Sequence, residues 1–451
     1  MSRRSKVALI LVGLLAIALL SGAGYLYWKT KNYLGGEEFR LLLSRATSKA
    51  LGINCEFAPI QWSGTTAYTD GFQGEGRAGQ PIRKIRADQI RTEIDWMQAL
   101  RGHWHLNTIE IQEVHIDLGD SNPPLDSNGN PTPPGPAETT DSYPAPIGEK
   151  VDIDHIVLQK IRVQFPMPPG NGLIEHASAR ISRDGNAWLM DVSGGHLRYT
   201  GYPDFSLREC RLRYNSDHLH ILNAVLAHPD HGQITLSGEA SLQPVRNLSL
   251  DFELQQIPVS VFVPQDWRAR LTGDLSGPGH LLDNASPKGP TLSASLRLED
   301  GRLEALPILD RVADATGTRE FKSLRLHTAR CDLECKEAVW KFSNIKIESE
   351  GLLRIEGRVD ENAGNLNGLV DIGTIPATLK LLPGAQDKVF TRQQDGYVWA
   401  APAVTINGTL QQPQEDLSPR LTDIVVKQIE GKVKNALDGV FNLLKPYMNQ
   451  P

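Results

Sequence analysis

Cysteine is scarce in this chain of 451 residues: only Cys55, Cys210, Cys331 and Cys335 occur, too few for a disulfide scaffold at this length. Cys331 and Cys335 are four positions apart, and on one extended strand their Cα atoms would stand about 13 Å apart, beyond the reach of a bridge. Only a tight turn between them would allow a bond; otherwise they are two unpaired thiols. Aromatic residues make up 6% of the chain, so its apolar surface rests on Leu, Ile and Val. Catalytic signatures are also missing. There is no Gly-x-Ser-x-Gly elbow, no phosphate-cradling lysine loop and no His-Glu-x-x-His pair. Gly74-Glu75-Gly76-Arg77-Ala78-Gly79 has dinucleotide-fingerprint spacing, but Pro81 follows and no helix opens there to receive a pyrophosphate. His228-Pro229-Asp230-His231 and His103-Trp104-His105 fit no closed zinc spacing. The expectation is a protein without catalytic residues, metal or cofactor.

Long hydrophobic runs are likewise few, and the one present is informative. Val7 to Trp28 is an uncharged stretch of 22 residues, against the roughly 20 a helix needs to cross a bilayer. Arg3, Arg4 and Lys6 before it favour a cytoplasmic N-terminus, and Tyr25, Tyr27 and Trp28 form an aromatic belt at the far interface. Two outcomes are open: an uncleaved single-pass anchor, or a signal peptide whose apolar core is Val7–Leu20, cut near Ser21-Gly22-Ala23. Both export the bulk of the chain. Net charge is −6, and −11 once Arg3, Arg4, Lys6, Lys29 and Lys31 are set aside. An acidic ectodomain is a poor partner for nucleic acid.

Five regions follow from the text: a tip and anchor over 1–35, an α+β cap over 36–120, a Pro-rich loop over 121–150, an extended β region over 151–415, and a terminal helix over 416–451. In the cap, Phe39, Leu42, Leu43, Ala46, Ala50 and Leu51 fall at helical spacing and Gly52 closes the run. Trp96 to Gly102 reads as one helical turn before the strand Ile109–Leu118. Between 121 and 150, prolines among Ser, Asn, Gly and Thr predict a solvated loop, more simply an inert insertion than a docking motif.

Beyond Val151 the dominant signal is period two. Leu248, Leu250, Phe252 and Leu254 alternate with Ser249, Asp251 and Glu253, so one face is dry and the other wet. The pattern returns in Ile234/Leu236, Leu292/Ala294/Leu296/Leu298, Leu324/Leu326, Ile345/Ile347 and Leu353/Ile355. It predicts a mainly β protein built on a long antiparallel meander from about Val151 to Leu410, interrupted by a helix near Ile308–Thr316. Alternation slips by one residue between Ile109/Ile111 and Val114/Ile116/Leu118, and between Val151/Ile153 and Ile156/Leu158, which predicts bulges and hence curvature. Turn signals stand at Asp184-Gly185-Asn186, Gly194-Gly195, His231-Gly232, Asp300-Gly301 and Asp395-Gly396. At the end, Leu421, Ile424, Val425, Ile429, Val433, Leu437, Val440, Phe441 and Leu444 share one helical face. That helix needs an apolar surface: the protein's own sheet, a membrane or a partner.

These features resemble a known family. The anchor, the helix ending in Leu51-Gly52, the Phe57-Ala58-Pro59-Ile60-Gln61-Trp62 strand and the run Ile94 to Gly102 leading to Ile109-Glu110-Ile111 look like the start of proteins of the AsmA family. These are TamB-related, inner-membrane-anchored periplasmic proteins of Gram-negative-type bacteria. Gly301-Arg302-Leu303, Leu309 through Gly317, Phe321 to Leu324, Ile345 to Leu353 and Asn407-Gly408-Thr409-Leu410 with Pro413 resemble that family's C-terminal module. The likeness covers about half the chain and rests on hydrophobic patterns.

It implies an inner-membrane protein whose periplasmic sheet curls into an open apolar groove that carries phospholipid toward the outer membrane. Ile234, Leu236, Leu248, Leu250, Phe252, Leu254, Leu296, Leu298, Leu324, Leu326, Ile345, Ile347, Leu353 and Ile355 would line it. The expected partners are membrane phospholipid, the inner membrane and an outer-membrane or envelope protein held by Leu421, Ile424, Val425 and Phe441. The plainer alternative packs the dry face on a second sheet and leaves a structural or assembly factor for envelope proteins. A polysaccharide hydrolase would need two carboxylates facing one cleft, and Asp251 and Glu253 lie on the wet face of a regular strand.

Overall fold

A computed structural model describes residues 35–421 except 78–79, 81, 95–102, 120–149, 168–169, 216–217, 242–246, 285–288, 306–309, 311–312, 314–317, 381–383 and 410–411. The expected anchor with Val7, Leu20, Tyr25, Tyr27 and Trp28, the turn at Trp96–Gly102, all of the Pro-rich loop but Lys150, and Ile424, Val425 and Phe441 lie outside the described residues. Among the described residues, no helix is long and apolar enough to cross a membrane. The protein is mainly β, with two compact units: Met1–Ser216 with Ile221–Pro229, and Asp217–His220 with Asp230–Pro451.

The first unit opens with α1 (Glu37–Leu51), its acidic first turn placed at the positive end of the helix dipole. Gly52 ends it at φ 70, the left-handed stop that a glycine adopts without steric cost. Arg40 fixes the helix to the first strand by donating to the Phe57 carbonyl at 2.8 Å and to Glu56 at 3.1 Å. Ser44 and Ser48 hydroxyls accept the amides of Phe57 and Cys55.

Strands β1 (Asn54–Phe57) and β2 (Ile60–Ser63) both pair with β3 (Thr66–Glu75), and β4 (Ile82–Ile94) and β5 (His103–Leu118) follow antiparallel. The next pairing corrects the expectation of a purely antiparallel sheet: β6 (Lys150–Met167) lies parallel to β5 over its length. Parallel neighbours need a connection of roughly a dozen residues or more. The 31 residues between Leu118 and Lys150 supply one, so the Pro-rich segment is the link between two adjacent parallel strands.

Antiparallel order resumes with β7 (Gly170–Asp184), the interrupted strand β8 (Ala187–Ser193) and β9 (His196–Tyr199), and β10 (Phe205–Asn215). Gly194-Gly195 is therefore a break within one strand line, not a hairpin. β11 (His218–Ala227) lies at the division between the units.

Every described pairing in the second unit is antiparallel. β12 (Gln233–Ser241), β13 (Asn247–Pro258), β14 (Leu271–Asp283) and β15 (Thr291–Glu304) form a meander. The line of β16 (Ser323–Leu326) and β17 (Thr328–Lys336) follows, then β18 (Val339–Ser349), β19 (Leu353–Asn362) and β20 (Asn365–Thr374). β20 pairs with both β22 (Tyr397–Ala400) and β23 (Val404–Gly408); β21 (Phe390–Gln394) and β24 (Pro413–Glu415) complete the set. Short helices α2 (Gln265–Arg268), α3 (Pro376–Leu379) and α4 (Ala385–Lys388) and a 3-10 turn at Arg319–Lys322 decorate it.

Asp395-Gly396 is a hairpin turn with φ 52 and 80, as its sequence predicts. Asp300-Gly301 is not a turn: both residues lie inside β15, with Asp300 at φ 48 and a register shift against β14 between Thr272 and Asp274. A left-handed aspartate absorbs a bulge there instead of ending the strand. Of the helix expected at Ile308–Thr316, only Asp310 and Ala313 are described; both are helical, and Ala313 is buried.

Candidate functional site

The cross-strand register turns period-two alternation into two faces. In the second unit one row runs Leu236, Phe252, Gly279, Ala294, Leu333, Phe342, Val359, Gly368 and Ile406, each directly opposite the next. It crosses nine strands, about 38 Å at about 4.8 Å per strand. A neighbouring row runs Gly238, Leu250, Leu281, Leu292, Cys335, Trp340, Glu361 and Leu366. The row between them, on the opposite face, is Ser237, Asp251, His280, Ser293, Glu334, Lys341, Asp360 and Asn367. One face is dry and the other wet, with Glu361 the one charged member of these two dry rows.

Along the dry rows Leu236, Leu250, Phe252, Leu281, Leu292, Leu333, Trp340 and Phe342 are half-buried, neither exposed to water in full nor closed into a core. The Phe252 ring lies flat over Gly279, where a Cβ would sit 2.1 Å from its Cζ. The same device recurs with Phe165 over Gly172 and Trp399 over Gly373, each aromatic covering the glycine directly opposite it. Phe252 and Phe165 thereby cover bare backbone while adding apolar surface, whereas Trp399 does so on the charged face, where Arg354 and Arg392 stand over its ring at 5.7 Å.

The expected groove residues divide. Ile234, Leu236, Leu248, Leu250 and Phe252, with Leu296 and Ile345, are half-buried. Leu254 is 6% exposed. Leu324 and Leu326 are buried with Phe321, Ala313 and Ala329 in a closed cluster that Leu298, Ile347 and Leu353 flank. Ile355 packs against a second closed cluster of Val370, Leu379, Val389, Phe390, Val398, Val404 and Leu417, which Leu421 also joins. Sequence reasoning did not select Leu281, Leu333, Trp340, Phe342, Val359 and Leu366. The signal was present as alternation with polar residues, Leu333 between Asp332 and Glu334 and Phe342 between Lys341 and Ser343, but each stands beside a cysteine or a lone aromatic instead of in a run of aliphatic residues.

All four cysteines are free. Cys331 and Cys335 lie on β17, and burial pushes both thiols up, reinforced by Asp332 for the first and Glu361 for the second. They act as small apolar residues of the dry face.

The first unit has a closed dry row of its own, Phe57, Phe72, Ala87, Val114, Ile161 and Ala177, again each opposite the next. After Ile111 the ladder skips one position without changing register, from Ile90–Ile111 to Asp88–Glu113 and from Ile111–Leu158 to Glu113–Lys160, with Gln89 at φ 55; the register shift stands between β6 and β7, from Leu158 to Ile161. At the second expected slip, after Ile153, the β5–β6 ladder likewise keeps its register from Leu106–Ile153 to Thr108–His155, and the shift lies between β4 and β5, at Thr92 and Ile94. The first seam lines a depression of about 640 Å³ with Gln89, Gln112, Gln159, Tyr68, Arg91, Asp70 and Glu110. Asp70 and Glu110 are both exposed, whereas the general acid of a glycosidase is a carboxyl removed from water. In the second unit Asp251 Oδ1 accepts a hydrogen bond from His280 Nδ1 at 2.8 Å on the wet face. No group of three His, Cys, Asp or Glu among the described residues is arranged to hold a metal.

Comparison with protein-family models, with curated proteins and with solved structures finds no match in any of the three.

Proposed function

We propose that this chain is a membrane-anchored periplasmic protein that binds lipid acyl chains along the dry rows of its second unit and conducts them, as its resemblance to the AsmA family implies, in the service of the outer membrane. The observation that carries this reading is the apolar row from Leu236 to Ile406, whose large side chains Leu236, Phe252, Leu333 and Phe342 are half-buried. Acyl chains on such a surface leave water at about 0.8 kcal/mol per CH₂. They also meet no unpaired backbone, because the strands satisfy one another. Rows of similar chemistry repeated every strand offer no single deep well, so a chain can slide along them.

The test is mass spectrometry of the full chain purified in mild detergent, followed by uptake of a fluorescent phospholipid. Co-purified phospholipid and saturable uptake are expected. Lipid-free protein that takes up none rejects the reading. The two closed clusters at the margins of the same face favour a second one, a structural or assembly factor for envelope proteins, which would then stand in its place.

A further inference from the structure

The wet face of the second unit carries a line of cations. Arg297 on β15 stands directly opposite Arg330 on β17, and Arg330 stands directly opposite Lys346 on β18. Three positive side chains thus follow one another within about 10 Å at ordinary strand spacing. Like charges directly opposite on neighbouring strands work against pairing. Arg297 is offset by Glu299 at 2.9 Å. Arg330 and Lys346 have no carboxylate within 4 Å among the described residues, although Glu356 stands across from Lys346 with its oxygen held by Arg354.

These side chains line a depression of about 1120 Å³ together with Arg354, Arg358, Ser295, Ser343 and Asn344. Five cations and two carboxylates, Asp332 and Glu356, face it, in a chain whose net charge is −6. Asp332 is itself occupied: Ser295 donates to one oxygen at 2.7 Å and Asn344 to the other at 2.6 Å. What the surface offers a visitor is therefore guanidinium, ammonium and hydroxyl donors, the set that grips phosphate oxygens.

We propose that this depression binds a ligand bearing two or more phosphate negative charges, with Arg330 and Lys346 as the principal contacts and Arg297 and Arg358 at the sides. The site lies on the face opposite the apolar rows and does not depend on the lipid-conduction reading. Its ligand supplies the negative charge that the row of cations lacks. The phosphate can come from a soluble polyphosphate or from anionic headgroups at a membrane surface.

The experiment uses the full chain in nonionic detergent, with tripolyphosphate titrated calorimetrically and flotation compared on phosphatidylcholine vesicles with and without phosphatidic acid. The double variant Arg330→Gln, Lys346→Gln is compared with Lys160→Gln, an exposed lysine of the first unit. The double variant is expected to weaken binding at least about tenfold, as loss of charge-assisted hydrogen bonds does. Its melting temperature should be unchanged or higher, because like-charged neighbours are removed, and Lys160→Gln should bind as the parent does. Loss of tripolyphosphate binding identifies the soluble source; loss confined to phosphatidic-acid-dependent flotation identifies headgroups. The proposal fails if the parent binds neither probe, if the double variant binds as the parent does, or if single-stranded DNA binds more tightly than both.

Discussion

Val404 and Phe252 stand on the same apolar face of the second unit, and they live in different environments. Val404 is fully buried among Val370, Leu379 and Phe390, under a covering that α3, α4 and the β21–β22 hairpin provide. Phe252 is half-buried, with its ring laid over Gly279 and with none of the described clusters above it. The strands, their alternation and their pairing rules are the same in both places. What differs is whether a later piece of chain returns to cover the face, so closure here is a property of the connections and not of the strands.

The sharpest way to break this comparison is to place a carboxylate at each position. Val404→Asp puts an unpaired charge where no water reaches, a cost above about 4 kcal/mol that should leave little folded protein. Phe252→Asp loses a cross-strand aromatic cover, about 1–2 kcal/mol, and should fold with native cooperativity while losing phospholipid uptake. Urea denaturation of both variants, followed by lipid uptake of the folded one, decides it. If Phe252→Asp unfolds as completely as Val404→Asp, the middle of the face is not open.

Truncation gives a smaller version of the same contrast. Leu324, at 0% exposure beside Phe321, should cost about 2–5 kcal/mol on change to Ala because a cavity remains. Leu236→Ala should cost about 1 kcal/mol, the transfer of a few half-buried methylenes with no cavity left behind. Equal losses in denaturation midpoint would mean that Leu236 is covered too.

Much of this arrangement was legible in the residues, and the remainder was not, for identifiable reasons. Alternation marks which side chains of Leu248 to Leu254 point together, because a strand has no other way to separate them. It does not mark which strand lies alongside, so Phe252 could not be matched with Gly279, nor Leu333 with Phe342. Leu324 and Leu326 read as groove residues because their own strand is regular; their burial comes from Phe321 and Ala313, on a preceding stretch with no period of its own. The parallel pairing of β5 with β6 is silent for the same reason: nothing in either strand encodes a partner beyond a connection of 31 residues. The change of face after Ile111 could be read because it shows itself in the spacing of inward residues. That Gln89, Gln112 and Gln159 come together there, with the register between their strands kept, is visible only in the pairing.

The contact between Phe252 and Gly279 yields a prediction of intermediate size. Any side chain at 279 would press into the ring, so Gly279→Val should cost roughly 1–3 kcal/mol. In a Phe252→Ala background the same substitution should cost much less, since the ring it strikes is gone. A double-mutant cycle by urea denaturation measures the coupling, and additive losses would show that the two residues act independently.

The smallest effect expected concerns how the covered end is fastened. Asp416, beside the buried Leu417, accepts the Thr405 amide at 3.0 Å and pairs with Arg420, which also donates to the Pro402 carbonyl at 2.7 Å. Burial alone would raise the Asp416 carboxyl, but the amide and the guanidinium together outweigh it and hold the group below its ordinary 3.8. A carboxyl with a lower folded than unfolded value contributes stability that is fully present above the unfolded value and is lost as pH falls through the folded one. The parent should therefore lose a few tenths of a kcal/mol of this fastening, solvent screening having reduced it at a side chain that is 42% exposed, on acidification below about pH 4, while Asp416→Asn should lack it at neutral pH and show no corresponding acid loss. Urea midpoints from pH 7 down to pH 3 measure both. A parallel acid dependence in the two proteins would place the fastening of that end in its apolar contacts, and the difference between Val404 and Phe252 would then rest on covering chain alone.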